Sequence, residues 1–234
     1  MPTNIGSLNE SALHKSLKEL KAVDGDVIEC PVDGYIVDIK QADRLVEIQT
    51  RNLHRVVPKI KDLVERYSLH LVYPIAARTT ITKSLDNGSE KQRRSPKKGT
   101  IYEVFAALVA APTLITHPHF SLEVAMIHEE QVRVFDEQKG WRRRHWVIVE
   151  RRLIELIATH CFNGAKDLWM LFAGRLPAEF TTKDIAESVQ ITRRLAQQAV
   201  YCLRHCGTID VVGKKRNELI YKLTSGDQDN NFVR

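Results

Sequence analysis

Hydrophobic residues recur with two different periods over the first eighty residues of the chain. The leucines of residues 9–21 fall on one face of a helix, and a second apolar face at helical spacing covers residues 53–67. Short runs that are rich in β-branched residues lie between the two helices and after the second one, at residues 26–32, 35–40, 45–49 and 69–73. This pattern predicts the element order αβββαβ, with a hairpin over residues 35–50.

The polar residues of this hairpin are placed like the ligands of a metal ion. Alternate residues of a strand share a face, so Glu47 and Gln49 project together while Val46 and Ile48 point the other way. Asp38 lies on the partner strand, and we expect it to converge with them. Two carboxylates beside a third polar group suit Mg²⁺, which takes one or two carboxylates together with water and substrate phosphate. The alternative is a surface hairpin whose charges are solvated.

An αβββαβ order with Asp in the second strand and an acidic motif in the third resembles the PD-(D/E)XK nuclease superfamily, which has the restriction-endonuclease-like fold. The resemblance covers roughly residues 5–80; Asp38 matches the first acid and Glu47-Ile48-Gln49 the second motif. It implies hydrolysis of phosphodiester bonds with Mg²⁺ or Mn²⁺ held by Asp38 and Glu47. Gln49 stands where the family usually has Lys. Some restriction enzymes of the superfamily also carry Gln there, and Gln49 would position the attacking water.

The first helix supplies a further candidate. Nucleases of this superfamily often add an acidic residue from that helix, and Glu10 is the matching position, bordering the leucine face. The alternative is that Glu10 simply favours the helix start through the macrodipole. We expect His14, one turn further on, to lie at the boundary of the buried face.

Composition favours a polyanionic partner. Among 234 residues, 35 Lys and Arg outweigh 29 Asp and Glu, which gives a net charge of +6. Four cysteines without a C-x-x-C pair predict reduced thiols in a cytoplasmic protein. The longest apolar run, residues 104–115, is too short for a membrane span and contains Pro112, and the N-terminus has no hydrophobic signal core.

Basic segments provide candidate phosphate contacts. Arg51 follows the third strand, and residues 84–99 predict a mobile basic loop that either embraces the substrate or only adds solubility. Arg142, Arg143 and Arg144 lie between two tryptophans, where guanidinium groups can bind phosphates and stack on bases. The alternative there is a basic turn anchored by Trp. A zinc site made from the residues of 117–128 is set aside because their spacing matches no zinc motif.

Residues 121–136 predict an extended hairpin or edge strand, and residues 147–160 a strand that continues as a helix. The last third then predicts helices at 165–173, 183–188 and 192–206, followed by strands at 208–212 and 218–223 around a basic turn. This order resembles the winged helix over roughly residues 162–224, with Phe180–Val189 similar to the opening of many bacterial winged-helix domains.

The resemblance to the winged helix implies binding of double-stranded DNA, with a recognition helix in the major groove and a basic wing against phosphates. The alternative is a protein-interaction module. The residues that the last helix and the wing would offer to DNA are Arg193, Arg194, Gln197, Gln198, Lys214, Lys215 and Arg216.

We therefore expect an α/β protein with a restriction-endonuclease-like core and a C-terminal winged helix-turn-helix domain. The expected boundaries are 1–160 for the nuclease-like domain, with its extension at 101–160, then 161–225 for the winged helix and 226–234 for a flexible tail. The expected function is a metal-dependent DNA endonuclease, with a homodimer as the expected oligomer if it oligomerises. The alternatives are a catalytically silent DNA-binding regulator and an adaptor in a defence or repair assembly.

Overall fold

The computed structural model describes residues 11–85, 88–139, 141 and 144–224. The chain is mixed α/β and separates into two compact units. The first unit comprises residues 1–51, 70–101 and 123–160, and the second comprises 52–69, 102–122 and 161–234. The expected domain boundaries at 1–160, 161–225 and 226–234 stay predictions.

The first unit is built on a large sheet with one helix. Its elements are α1 (Ala12–Lys21), β1 (Val27–Val32), β2 (Tyr35–Lys40), β3 (Leu45–Ile48) and most of the long strands β4 (Leu69–Ser84), β6 (Phe120–Phe135) and β7 (Trp146–Phe162), with β5 (Glu90–Arg94). The seven strands are ordered β1-β2-β3-β4-β6-β7, and β5 pairs with β4. β1 and β2 are antiparallel, as are β2 and β3.

Helix α1 packs its leucines against the sheet. It begins after Ser11, whose hydroxyl accepts a hydrogen bond from the backbone N–H of His14. Leu13 and Leu17 are fully buried, whereas Leu20, expected on the same face, is 49% exposed. The core that they enter is formed by Ile39, Val46, Ile48, Val72, Ala125 and Ile127.

Two expectations for the long strands are wrong. The basic loop over 84–99 contains a strand: β5 pairs antiparallel with β4, from Thr80 opposite Arg94 to Ser84 opposite Glu90. All five β5 residues are exposed, so no apolar alternation marks them, and the edge of β4 supplies the template. The helix expected within 147–160 is also absent, since β7 is one strand of 17 residues.

The second unit combines short helices with a small sheet. Its elements are α2 (Val57–Leu63), α3 (Val104–Leu108), α4 (Ala165–Met170), β8 (Glu179–Phe180), α5 (Thr182–Ser188), α6 (Arg193–His205), β9 (Ile209–Lys215) and β10 (Glu218–Leu223). The sheet order is β8-β10-β9.

Side-chain caps fix the starts of two helices of the second unit, α5 and α6. Thr181 and Asp184 form a reciprocal capping box at α5, and Thr192 caps α6. Helix α6 ends before Gly207, whose φ of +71° is a left-handed conformation that Gly adopts without strain. None of the described helices is long and apolar enough to cross a membrane.

Candidate functional site

Asp38 lies where the pairing of β2 and β3 gives way to a side-chain contact. The two strands pair Ile39 with Val46 and Lys40 with Leu45. At the next residue of β2, a side chain takes the place of the backbone as the acceptor. Oδ2 of Asp38 accepts a hydrogen bond of 2.7 Å from the backbone N–H of Ile48. The Asp38 carboxylate therefore lies against the peptide bond that joins Glu47 to Ile48.

His14 holds the same carboxylate from helix α1. Its Nε2 lies 3.2 Å from Asp38 Oδ2 and 3.0 Å from the carbonyl oxygen of Ile48. Because a carbonyl oxygen only accepts hydrogen bonds, His14 Nε2 must carry a proton, and it donates to Ile48. That proton also faces Asp38. His14 was expected only at the boundary of the buried face; its position next to Leu13 is the sequence signal that places it near the sheet.

Glu47 is a buried acid, with 5% of its surface exposed. Its neighbours Val46 and Ile48 both pack into the core beneath α1, so strand alternation directs the Glu47 side chain to the other face of β3. A carboxylate with so little exposure needs a compensating partner, and carboxylates in such positions are paired or bind a cation.

Gln49 follows β3 directly and is held by two hydrogen bonds. Its backbone N–H donates to the carbonyl of Val72 at 2.9 Å, and its side-chain nitrogen donates to the carbonyl of Arg51. The side-chain oxygen is the atom of this amide that can accept a hydrogen bond from water. The Arg51 side chain, expected to contact phosphate, is exposed.

An ion pair that was not predicted from the sequence supports this loop. Glu129 is 1% exposed, and its Oε2 accepts a hydrogen bond from Arg151 Nε at 2.8 Å. The same oxygen lies 2.5 Å from Arg151 Nη2 in an ion pair. Its Oε1 accepts from Gln131 at 2.6 Å. Arg151 also donates from Nη1 to the carbonyl of Thr50 at 3.4 Å. The pair thus connects β6 and β7 to the segment that carries Gln49.

A third buried acid, Glu123, contacts the C-terminal end of α1. Glu123 contacts Lys21 Nζ at 2.6 Å and His70 Nε2 at 3.3 Å. Burial alone would raise the pKa of Glu123, but the hydrogen bonds from His70 and Lys21 outweigh it and hold the pKa below the ordinary value. Glu123 is therefore an ionised structural carboxylate. His128 lies apart from it and pairs with the Thr80 hydroxyl at 2.9 Å.

Clusters of metal-ligating side chains are absent from the described residues. Within the described ranges, no group of three or more His, Cys, Asp or Glu side chains is placed to hold a metal ion. Glu10, Arg142 and Arg143 lie outside the described residues. Arg144 is described and exposed, with a left-handed backbone at φ 51°.

The DNA-binding candidates of the second unit are on its surface. Arg194 and Gln197 are exposed on α6 and Gln198 is half-buried, while Arg193 is exposed but forms a 2.6 Å ion pair with Glu218 on β10. The helix buries its opposite face, formed by Ala196, Ala199, Val200, Cys202 and Leu203.

The basic wing takes a different form from the expected turn. Lys214 and Lys215 belong to the end of β9, and only Arg216 and Asn217 form the turn before β10. Arg216 has a left-handed backbone, with φ 54°. All three basic side chains are exposed. Alternation within β9 directs Lys214 and Lys215 to opposite faces of the ribbon, which the sequence pattern did not predict.

Comparisons with known proteins give a family but no activity. A family model described as "Domain of unknown function (DUF8091)" matches residues 11–163. A protein of Treponema pallidum (strain Nichols), described as uncharacterized, is 31% identical over 186 residues, which cover 79% of this chain and 74% of that protein. No solved structure matches the chain.

Proposed function

The chain belongs to the DUF8091 family, and from that premise and the geometry around Asp38 we propose that it is a metal-dependent endonuclease acting on double-stranded DNA. The observation that carries this proposal is the 2.7 Å hydrogen bond from Ile48 N–H to Asp38 Oδ2, which fixes one carboxylate beside the backbone of the other acid, Glu47. The element order α1-β1-β2-β3-α2-β4 supports it, because it is the order of the nuclease core.

The residue types present suit a hard divalent cation. A shared site requires Asp38 and Glu47 to meet where the β2–β3 pairing ends, because His14 contacts Asp38 from the α1 side while alternation directs Glu47 to the other face. Asp38 and Glu47 offer carboxylate oxygens, and Mg²⁺ or Mn²⁺ needs only one or two such ligands, with water and substrate phosphate completing its shell. When bound, the cation lowers the pKa of a coordinated water and neutralises phosphate charge. His14 positions the Asp38 carboxylate, and Gln49 orients the water through its side-chain oxygen. In the same proposal Glu10 adds a third acid from the first helix.

The second unit would hold the DNA. Its order α4-β8-α5-α6-β9-β10 is that of a winged helix, and α6 would enter the major groove with Arg194, Gln197 and Gln198. The wing residues Lys214, Lys215 and Arg216 would contact phosphates, as would Arg51 and the 142–144 segment of the first unit. Arg193 would exchange its Glu218 partner for a phosphate, because a guanidinium pairs with either anion.

Plasmid cleavage tests this function. With purified chain and millimolar Mg²⁺, we expect supercoiled plasmid to be nicked or linearised, and Glu47→Gln to lower the rate at least about 100-fold, since the metal supplies several kcal/mol of transition-state stabilisation. Glu19→Gln is the matched control, because Glu19 is an exposed acid on α1. Calorimetric titration with Mn²⁺ provides a readout that does not depend on activity. Wild-type protein that neither cleaves nor binds Mn²⁺ refutes the proposal.

One observation favours a second candidate, a DNA-binding regulator with a silent nuclease core. Gln49 replaces the usual Lys, and its amide nitrogen donates to the carbonyl of Arg51. The residue at this position therefore supplies no positive charge to the developing phosphorane. In that case DNA binding would persist without cleavage. Replacing Lys214, Lys215 and Arg216 by Gln would then flatten the salt dependence in gel shifts.

A further inference from the structure

Two hairpins of the first unit place cationic side chains on one face of the sheet. In the β4–β5 hairpin, Lys83 lies directly opposite Lys91, and Ile81 lies opposite Arg93. Because alternate residues share a face, Lys83, Lys91 and Arg93 all project to the same side. Like charges opposite each other in an antiparallel pair are destabilising, so this arrangement costs stability unless an anion compensates it.

The hairpin formed by β6 and β7 brings aromatic rings to this region. Lys83 Nζ lies 3.9 Å from the centre of the Trp146 ring, a cation–π contact. Phe135 packs edge-on against Trp146 at 5.7 Å and against His145 at 6.0 Å. Trp141, in the turn between the strands, exposes 73% of its surface. The ends of the two hairpins therefore combine aromatic rings with positive charge.

Further cations surround Lys83. The pKa of Lys83 lies below its ordinary value, first because of burial and then because of the positive charges of Arg93, Arg133, Arg144 and Lys91. We call these five side chains the hairpin-tip surface: Lys83, Lys91, Arg93, Arg133 and Arg144.

Three acidic groups of these hairpins are turned to the other face or are paired. Glu90 lies opposite Ser84, on the other face of the β4–β5 hairpin. Glu130 is on that face too, with Thr82 at 2.5 Å and Gln92 at 3.4 Å, and it pairs with Arg152 at 3.4 Å. Asp136 is 3.9 Å from Lys139. Glu90 and Glu130 thus lie on the face opposite Lys83, Lys91 and Arg93, and a polyanion suits the basic face.

We propose that the hairpin-tip surface binds the phosphate backbone of single-stranded nucleic acid, with a base stacked on Trp141. Phosphates meet the five cations, and the exposed indole offers the π-face that an unpaired base requires, whereas a duplex keeps its bases stacked on one another. This site is built from the first unit alone. It does not depend on hydrolysis at Asp38 and Glu47, and it uses none of the second-unit residues proposed to grip duplex DNA.

Fluorescence anisotropy with a labelled oligothymidine tests the site. The full chain is used throughout, in a background where Lys214, Lys215 and Arg216 are Gln, so that the wing contributes little. Lys91→Gln/Arg93→Gln removes two exposed cations of the surface. The matched control, Lys15→Gln/Lys40→Gln, removes the same charge from exposed positions elsewhere in the first unit.

We expect the Lys91/Arg93 double variant to bind about tenfold more weakly than the control. Its slope of log affinity against log salt, between about 50 mM and 200 mM, should fall by about 1.4, since each single-strand phosphate contact contributes about 0.7. Trp141→Ala should weaken binding about 5- to 150-fold, because stacking on an aromatic side chain contributes about 1–3 kcal/mol per base.

Four results would overturn the proposal. The first is that the background protein does not bind oligothymidine, and the second is that the Lys91/Arg93 variant binds as the control does. The third is that the Trp141→Ala variant binds as its parent does. The fourth is that the protein binds phosphatidylserine vesicles and not the oligonucleotide. Circular dichroism of each variant shows whether the fold is retained. Competition by unlabelled duplex as effective as that by unlabelled single strand would contradict the preference for unpaired bases.

Discussion

Loss of Arg151 should destabilise the first unit far more than loss of its neighbour Arg152. Arg151→Met removes the hydrogen bond and the ion-pair contact from the guanidinium to Glu129. The Glu129 side chain is 1% exposed and then keeps its hydrogen bond from Gln131. Breaking a buried ion pair on one side costs about 3–5 kcal/mol, because a charge stays buried without its counter-ion. That is about a fifth or more of the total stability of a typical domain.

Arg152 is a stringent control because it has the same chemistry in a different environment. Its side chain is 53% exposed and pairs with Glu130 at 3.4 Å and with Glu150. Exposed ion pairs contribute at most about 1 kcal/mol. We therefore expect Arg152→Met to change the free energy of unfolding by no more than that amount, although both substitutions remove one positive charge from adjacent residues of β7.

Urea unfolding and hydrogen exchange together measure the effect. Peptides from β6 and β7 report the stability of the first unit, and those covering residues 49–52 report the loop held by the Arg151 contact to Thr50. We expect faster exchange in both regions for Arg151→Met. The double variant Glu129→Leu/Arg151→Met should recover most of the stability, because the buried charge is removed with its partner.

The reasoning is refuted if Arg151→Met costs less than about 1 kcal/mol with an unchanged urea dependence. Equal losses for Arg151→Met and Arg152→Met would also refute it. A double variant as unstable as the single one would show that packing of the Arg151 side chain, and not the buried charge of Glu129, controls the loss.

Two further predictions concern titratable groups. Because the folded pKa of Glu123 is lowered, its ionised form stabilises the fold fully above the ordinary value of 4.5, and this stabilisation is lost as pH falls through the lowered value. Glu123→Gln should therefore flatten the acid side of the stability curve from urea unfolding, and an unaltered curve would contradict this. Burial raises the pKa of Cys202 to about 12 and that of Cys206 to about 11. In the native chain a thiol reagent at neutral pH should modify the exposed Cys161 first and Cys202 only on unfolding. Equal rates of modification would contradict this and show that the structure around Cys202 opens in the native state.

The strands that sequence could predict are those with a regular apolar pattern. β2 and β3 match the predicted runs closely, because their β-branched residues alternate and a tight turn joins them. β5 gave no such signal, since it is entirely charged or polar and forms only along the edge of β4. In β7, Leu153 and Leu156 are spaced as in a helix, but both pack against the sheet core from a strand.

The choice of Asp38 and Glu47 as site acids stays a prediction, and their hydrogen-bond partners were not predicted. Asp38 and Ile48 occur in two adjacent short strands, so the contact between the Asp38 carboxylate and the Ile48 backbone follows from local pattern. The contact of His14 with Ile48 joins residues 34 positions apart, and that of Arg151 with Thr50 joins residues 101 positions apart. Such contacts depend on how α1 and β7 pack, which periodicity alone does not encode.

The central proposal is that Asp38 and Glu47 hold a catalytic cation. Its most direct test is an anomalous difference map from crystals of the chain grown or soaked with Mn²⁺. We expect one strong peak bonded to carboxylate oxygens of both acids, at about the 2.0–2.1 Å typical of Mg²⁺ sites or slightly longer. A map without a peak there, or with Mn²⁺ bound only at other residues, would contradict the proposal.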